Sequence, residues 1–254
     1  MIKLDSPAGS NNYNINNKRA FAGTLISRET IEKITAFAYE MCFGTGHHRD
    51  CRTGGQYDRK GGEKFCNTFQ GKLAEAELYN YLKLEGLELK EPDFGIYPKG
   101  IWDDSDLEIQ GKKINVKSAA SQSNLLLLET KDWNLQAQYI PNILLNNGAS
   151  VSYDYFVLVR IQPDIKKLFK TERLFLNNEI DRKTIDNILS ANTWYFDIAG
   201  YSTNSDVIAA IKNEHVLPQN AILNQYTKMD AGNYYIQSGD MKPIKNFVQE
   251  LKTI

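Results

Sequence analysis

Residues 106–118 read Asp-Leu-Glu-Ile-Gln-Gly-Lys-Lys-Ile-Asn-Val-Lys-Ser. Two short runs of alternating apolar and polar residues flank a glycine, which is the pattern of a β-hairpin. Placing Gly111 and Lys112 in a type II′ turn gives the glycine the position that needs positive φ. Ile109 then faces Ile114 and Leu107 faces Val116, so four apolar side chains share one face. On the other face Asp106 falls opposite Lys117 and Glu108 opposite Asn115. Shifting the turn by one residue would pair Ile109 with Lys112 and is expected to mix the faces, so the pattern selects the first register.

The polar face of this hairpin gathers two carboxylates, a carboxamide and an ammonium. Mg²⁺ prefers oxygen ligands such as the Asp106 carboxylate and the Asn115 side-chain carbonyl. A metal held there polarises a phosphodiester and lowers the pKa of a water, and a neighbouring lysine orients that water or stabilises developing charge. The same pattern also describes a solvated face with cross-strand ion pairs, and periodicity alone does not separate the two.

Outward from the hairpin, helices and strands alternate. Residues 28–42 place Ile31, Ile34, Phe37, Ala38 and Met41 at helical spacing after an Asn-, Ser- and Gly-rich arm over 1–26. A second helix is expected at about 69–85, with Leu73, Ala76, Tyr79 (or Asn80) and Leu84 on its buried stripe. Asp93–Tyr97 reads as a short strand, 131–145 as a helix up to Pro141, and Tyr153–Ile161 as a buried strand. Further helices are expected near 164–170, 181–190, 204–213 and 241–252, with strands at Trp194–Ala199 and Tyr234–Gln237. The fold class is therefore α/β, a mixed central β-sheet flanked by helices.

Composition sets limits around this picture. The chain has 254 residues, 42% of them hydrophobic and 24% charged, with a formal net charge of -1. That suits one compact soluble domain. A polyanionic partner would have to meet a local basic patch, because the whole chain offers no positive field. No apolar run approaches the length of a membrane span; Leu125 to Leu128, for example, is far too short. The N-terminus turns polar at once, and the three cysteines (Cys42, Cys51, Cys66) cannot all pair within one chain. A reducing cytoplasm is the expected setting.

The hairpin resembles the PD-(D/E)XK nuclease superfamily, in which an Asp begins one strand and a D/E-x-K tripeptide lies on the next. Here the Asp is Asp106 and the tripeptide is Asn115-Val116-Lys117, with Ser118 after it. Asn115 stands where the family usually has an acid, a variant that some restriction enzymes carry, and it raises the question of which group supplies the missing charge. The segment FQGKLAEAEL is similar to the superfamily's leading helix, whose Glu points into the metal site. That residue would be Glu75, with Glu77 the alternative. The two lie roughly 200° apart round a helix, so only one can face the site. A crossover helix over 131–143 and then the buried strand at 153–161 would occupy the next family positions.

The resemblance implies a restriction-endonuclease-like fold over residues 1–254. An arm, helix and basic Gly-rich loop would occupy 1–68, the catalytic core 69–161, and the rest of the same domain 162–254. It implies a Mg²⁺-dependent type II restriction endonuclease acting on double-stranded DNA in a bacterial or phage cytoplasm, as a homodimer by analogy. Asp106, Asn115, Glu75 and, in reserve, Glu108 would hold metal, and Lys117 would position the attacking water. The alternatives are a structure-specific, phage or repair nuclease of the same superfamily, and an inactive DNA-binding module that kept the fold.

Two further stretches bear on DNA. Residues 43–64 hold six glycines and Arg49, Arg52, Arg59, Lys60 and Lys64. They read as a loop whose basic side chains approach phosphates or guanine, or simply as a surface loop. Ser118, Ser121, Gln122, Ser123 and Asn124 follow the catalytic strand and could donate hydrogen bonds to DNA, or form a plain loop. A zinc site from Cys42, His47, His48, Cys51 and Cys66 lacks paired-ligand knuckles, and Cys42 reads instead as a small apolar group ending its helix.

Overall fold

The computed structural model describes residues 1–44, 59–96, 106–141 and 151–253. In chain order, the N-terminal part holds strands β1 (Asn12–Tyr13) and β2 (Thr24–Leu25) and helices α1 (Arg28–Phe43) and α2 (Gly61–Leu84). The middle holds β3 (Leu107–Ile109), β4 (Lys112–Ala120), β5 (Leu125–Glu129), β6 (Gln138–Tyr139), β7 (Val151–Ser152) and β8 (Tyr155–Gln162). Then come α3 (Ile165–Thr171), α4 (Arg182–Ser190), β9 (Tyr195–Thr203) and α5 (Asn204–Lys212). The chain finishes with β10 (Val216–Leu217), β11 (Ile222–Leu223), β12 (Thr227–Lys228), β13 (Asn233–Gln237) and α6 (Ile244–Lys252).

The main sheet has five strands in the order β2-β9-β8-β4-β3. β4 and β8 run parallel, from Ile114↔Tyr155 to Ala120↔Ile161, and the other neighbours are antiparallel. A smaller sheet, β10-β13-β5, pairs Leu125–Glu129 with Asn233–Gln237. The fold is thus mixed α/β, as the alternation of elements predicts.

Two cores cover the main sheet. On one face Ile114, Val157, Val159 and Ile161 meet Phe65, Phe69, Leu73 and Leu78 of α2. On the other Phe156, Leu158 and Ala199 meet Leu126, Leu128, Trp133 and Val207. Local chemistry sets the helix starts. The Ser27 Oγ accepts the Thr30 N–H at 3.0 Å, and Thr203 and Asp206 form a capping box at α5.

The arm over 1–26 is irregular but fixed. Arg160 is fully buried on β8 and uses all five guanidinium N–H groups. Nε donates to Asp197 Oδ1 (2.8 Å), Nη1 to Arg19 O (2.8 Å) and Asn124 Oδ1 (3.0 Å), and Nη2 to Ala20 O (2.9 Å) and Asp197 Oδ2 (2.5 Å). Gln237, also fully buried, accepts the Asn16 and Asn17 N–H groups and donates to Ile2 O.

Several expectations need correction. The hairpin turn is Gln110-Gly111, with φ of 50° and 75°, so Leu107 pairs with Ile114, Glu108 with Lys113 and Ile109 with Lys112. Both turn residues have positive φ, the signature of a type I′ turn. The pairing differs from the expected one by two positions, and side chains alternate, so the apolar and polar faces survive.

α2 begins at Gly61, about two turns before the expected start, and Leu84 at its end is 88% exposed. Its first glycines serve close packing. A Cβ on Gly62 would sit 2.2 Å from Leu174 O, and one on Gly61 2.2 Å from Asn178 O.

Asp93–Ile96 forms no strand; the Asp93 carboxylate accepts the Gly95 N–H at 2.7 Å in a turn, and Tyr97 lies outside the described residues. Residues 131–139 form no helix either. They hold turns, a Trp133↔Tyr139 bridge and β6, because Asn134 Oδ1 accepts the Gln136 and Gln138 N–H groups and so closes a local turn; residues 142–145 lie outside the described residues. Ser118 to Ala120 extend β4, leaving only 121–124 as the turn into β5.

The helix glycines give a paired prediction. Gly62→Ala lowers stability by about 1–3 kcal/mol through the clash with the Leu174 carbonyl. Gly71→Ala, whose Cβ meets nothing within 4 Å, raises it by about 0.5–1 kcal/mol through helix propensity. Urea denaturation of the two variants beside wild type reads both.

Candidate active site on the inner face of the central strand

β4 lies between β3 and β8, with a core on each side, so its alternate side chains go to opposite interiors. Ile114, Val116 and Ser118 belong to the α2 side, where Gln70 Nε2 donates to Ser118 Oγ at 3.4 Å. Asn115, Lys117 and Ala119 belong to the side of Trp133 and Phe156. Asn115 is only 5% exposed.

Asp106 directly precedes β3. Continuing the observed register places it opposite Asn115 rather than Lys117, on the Asn115 face. Its Oδ2 accepts the Val116 N–H at 2.6 Å, which orients the carboxylate along β4. Asp106, Asn115 and Lys117 are therefore brought together at one place. Glu108, the reserve candidate, pairs across from Lys113 and is exposed, further toward the turn. Lys112 and Lys113 are taken up by Asp154, whose carboxylate contacts Lys112 Nζ (3.1 Å) and the Lys113 N–H (3.0 Å).

The ammonium of Lys117 lies 5.7 Å from the centroid of the Trp133 ring. Burial pushes its pKa below the ordinary lysine value; the attraction of Asp106, then Asp132, then Glu129 opposes that shift without cancelling it. Asp132 and Glu129 lie at the end of β5 and in the turn after it, and neither was singled out from the sequence. Their signal was an acid-bearing turn, Glu129-Thr-Lys-Asp132, closing an apolar run.

Neither Glu75 nor Glu77 joins this group. Glu75 pairs with Lys72 three residues earlier, on the helix that covers the opposite face of β4. Glu77 is 5% exposed and opens into a separate cavity of about 900 Å³ beside Tyr81, Phe196 and Ile198, where burial pushes its carboxyl up to about 7.

Among the described residues, no three His, Cys, Asp or Glu side chains cluster so as to hold a metal ion by themselves. The fit to a divalent cation rests instead on orphaned oxygens. Asn115 Oδ1 and Asp132 Oδ1 are both enclosed, and neither has a hydrogen-bonding partner. Buried acceptors of this kind are rare in a folded chain. Asp106 lies across the sheet from Asn115, and Asp106 and Asp132 both act on the Lys117 ammonium, so the three oxygens would form a hard-oxygen set suited to Mg²⁺.

The expected DNA contacts are only partly placed. Arg49 and Arg52, with His47, His48 and Cys51 of the zinc alternative, lie outside the described residues. Arg59 and Lys60 immediately precede α2, and Lys60 is exposed. Ser121, Gln122 and Ser123 form the turn from β4 to β5, where the Ser121 N–H donates to Ile161 O. Cys66 is buried, and burial pushes its thiol up; Cys42 is pushed up to about 11 and lies 3.4 Å from Thr68 Oγ1, consistent with apolar packing.

Lys117 gives a stability prediction. Its depressed pKa means that the folded state holds the proton less firmly than the unfolded chain. Stability is therefore highest above the unfolded-state pKa and is lost as pH falls from there toward the folded value. At neutral pH the wild type carries that penalty. Lys117→Met removes it and raises stability by roughly 1–2 kcal/mol, an upward Tm shift of several degrees by calorimetry. A lower Tm would mean that the amine is a net structural asset.

Comparison with known proteins yields no relative: no family model matches the chain, and neither curated proteins nor solved structures resemble it.

Proposed function

We propose that this chain is a divalent-metal-dependent endonuclease of the PD-(D/E)XK type, hydrolysing phosphodiester bonds in duplex DNA. The observation that carries the reading is the enclosed, partnerless Asn115 Oδ1, opposite Asp106 and two residues from Lys117. In a purely structural sheet that position would hold an apolar side chain or a satisfied amide.

Asp106 and Asn115 would hold Mg²⁺, Asp106 as the anionic ligand and Asn115 as a neutral one. A cation bound there would supply positive charge against the scissile phosphate and acidify the attacking water. Lys117 Nζ positions that water. With its proton affinity lowered, the amine takes up the water's proton more weakly than an ordinary lysine would, and releases it more readily. The sheet excludes bulk solvent on the Asn115 side, which strengthens each of these interactions.

The order β3-β4-β8, a hairpin followed by a parallel strand, supports a restriction-endonuclease-like arrangement. Among the described residues the path between β4 and β8 carries strands β5, β6 and β7, with Ile140 and Pro141 helical where the described stretch ends. Site-specific cutting as a homodimer is the form the resemblance suggests. One observation favours the second reading, an inactive DNA-binding module: the site lacks a three-acid cluster among the described residues.

Incubation of the purified protein with unmethylated phage DNA and Mg²⁺ separates these readings. Discrete fragments are expected from wild type, none with EDTA, and a loss of about 10³-fold or more in Lys117→Ala. DNA left intact in Mg²⁺ and Mn²⁺ by a protein that still binds it would favour the inactive module.

A further inference from the structure

The Asn115 substitution leaves the site one charge short of the family pattern, and the α2 acids do not supply it. Among the described residues two enclosed side-chain oxygens of this neighbourhood lack a partner, and the second belongs to Asp132. We infer that Asp132, carried on the turn after β5, is the second carboxylate ligand of the cation held by Asp106 and Asn115. This rests on the metal-site reading above.

The turn is rigid. The Asp132 N–H donates to Glu129 O at 2.9 Å and its carbonyl accepts the Ile140 N–H at 2.8 Å. Trp133, 3% exposed, packs against the rings of Tyr139, Tyr153 and Phe156 at centroid distances of 5.2, 5.7 and 5.3 Å. The same ring lies 5.7 Å from Lys117 Nζ, which ties the turn to the Asn115 face of β4.

Asp132 is 9% exposed, and no ion pair reaches it among the described residues. Its Oδ1 is enclosed and accepts no hydrogen bond, and Lys117, the cation that attracts the carboxylate, makes no salt bridge with it, so that oxygen is left for a cation the chain itself does not contain.

Glu129 is the competing acid. It is half-buried at the end of β5 and lines a small cavity with Thr130, Gln219 and Gly232, and it has partners of its own. Asp132 is the acid with the free, enclosed oxygen. The device differs from an acid borrowed from the leading helix: the missing charge moves to a turn on the same face of the sheet.

Tb³⁺ binding, read by luminescence excited through tryptophan, tests this on the whole chain. Wild type is expected to give saturable emission that Mn²⁺ displaces. Asp132→Asn should weaken the affinity roughly 10–100-fold, Asp132→Glu less so, and Glu75→Gln not at all. If Asp132→Asn and Asp132→Glu both bind Tb³⁺ like wild type while Asp106→Asn does not, Asp132 is no ligand and the metal site stands without it. If wild type gives no saturable emission, the metal-site reading fails as well.

Discussion

Everything near the candidate site follows from β4 being covered on both faces. A strand in that position sends its side chains alternately toward the two cores, so Asn115 is enclosed and Lys117 half-buried despite their polarity. Two buried polar clusters result on the Phe156 face, and they differ in one respect. The Arg160 cluster on β8 is closed, with five donors and five acceptors supplied by the chain itself. The cluster at Asn115 and Asp132 is open, with two enclosed oxygens unmatched. The proposed cation site rests on that contrast between a closed network and an open one.

The closed cluster also explains how the open one is held. Arg160 binds the backbone of Arg19 and Ala20 together with Asn124 at the start of β5, and Asn124 Oδ1 also accepts the Ser238 hydroxyl after β13. β13 pairs with β5, whose far end delivers Glu129 and Asp132 to the Lys117 side of β4. One buried guanidinium thus helps to set the position of the turn on which the second carboxylate sits. Removing a partner from such a network typically costs several kcal/mol, because the remaining charge stays enclosed.

How far the sequence alone reached depends on which physical signal each element carries. The two faces of the hairpin were legible, since alternation is a parity signal that survives a two-position change of register. The register itself was not, because Gln110 adopts positive φ without being glycine or asparagine. The early start of α2 was hidden because Gly61 and Gly62 read as loop residues, whereas their role is close approach to the 174–178 backbone. The expected helix failed over 131–139 against a local turn at Asn134, and with it went the chance of seeing Asp132. Its importance depends on β5 pairing with β13, a contact between residues about a hundred positions apart that no local pattern announces. Conversely, Glu75 was chosen by resemblance to a leading helix, and that helix covers the face of β4 opposite Asn115.

Calorimetric titration of Mn²⁺ into wild type and Asn115→Asp puts the central claim, a divalent cation held at the Asp106–Asn115 pair, to its most direct test. The account predicts that wild type binds Mn²⁺ and that the added carboxylate tightens the binding by about tenfold, since ligand charge tunes the affinity of hard cations. Mn²⁺ bound by neither protein, or bound with the same affinity by both, would contradict it.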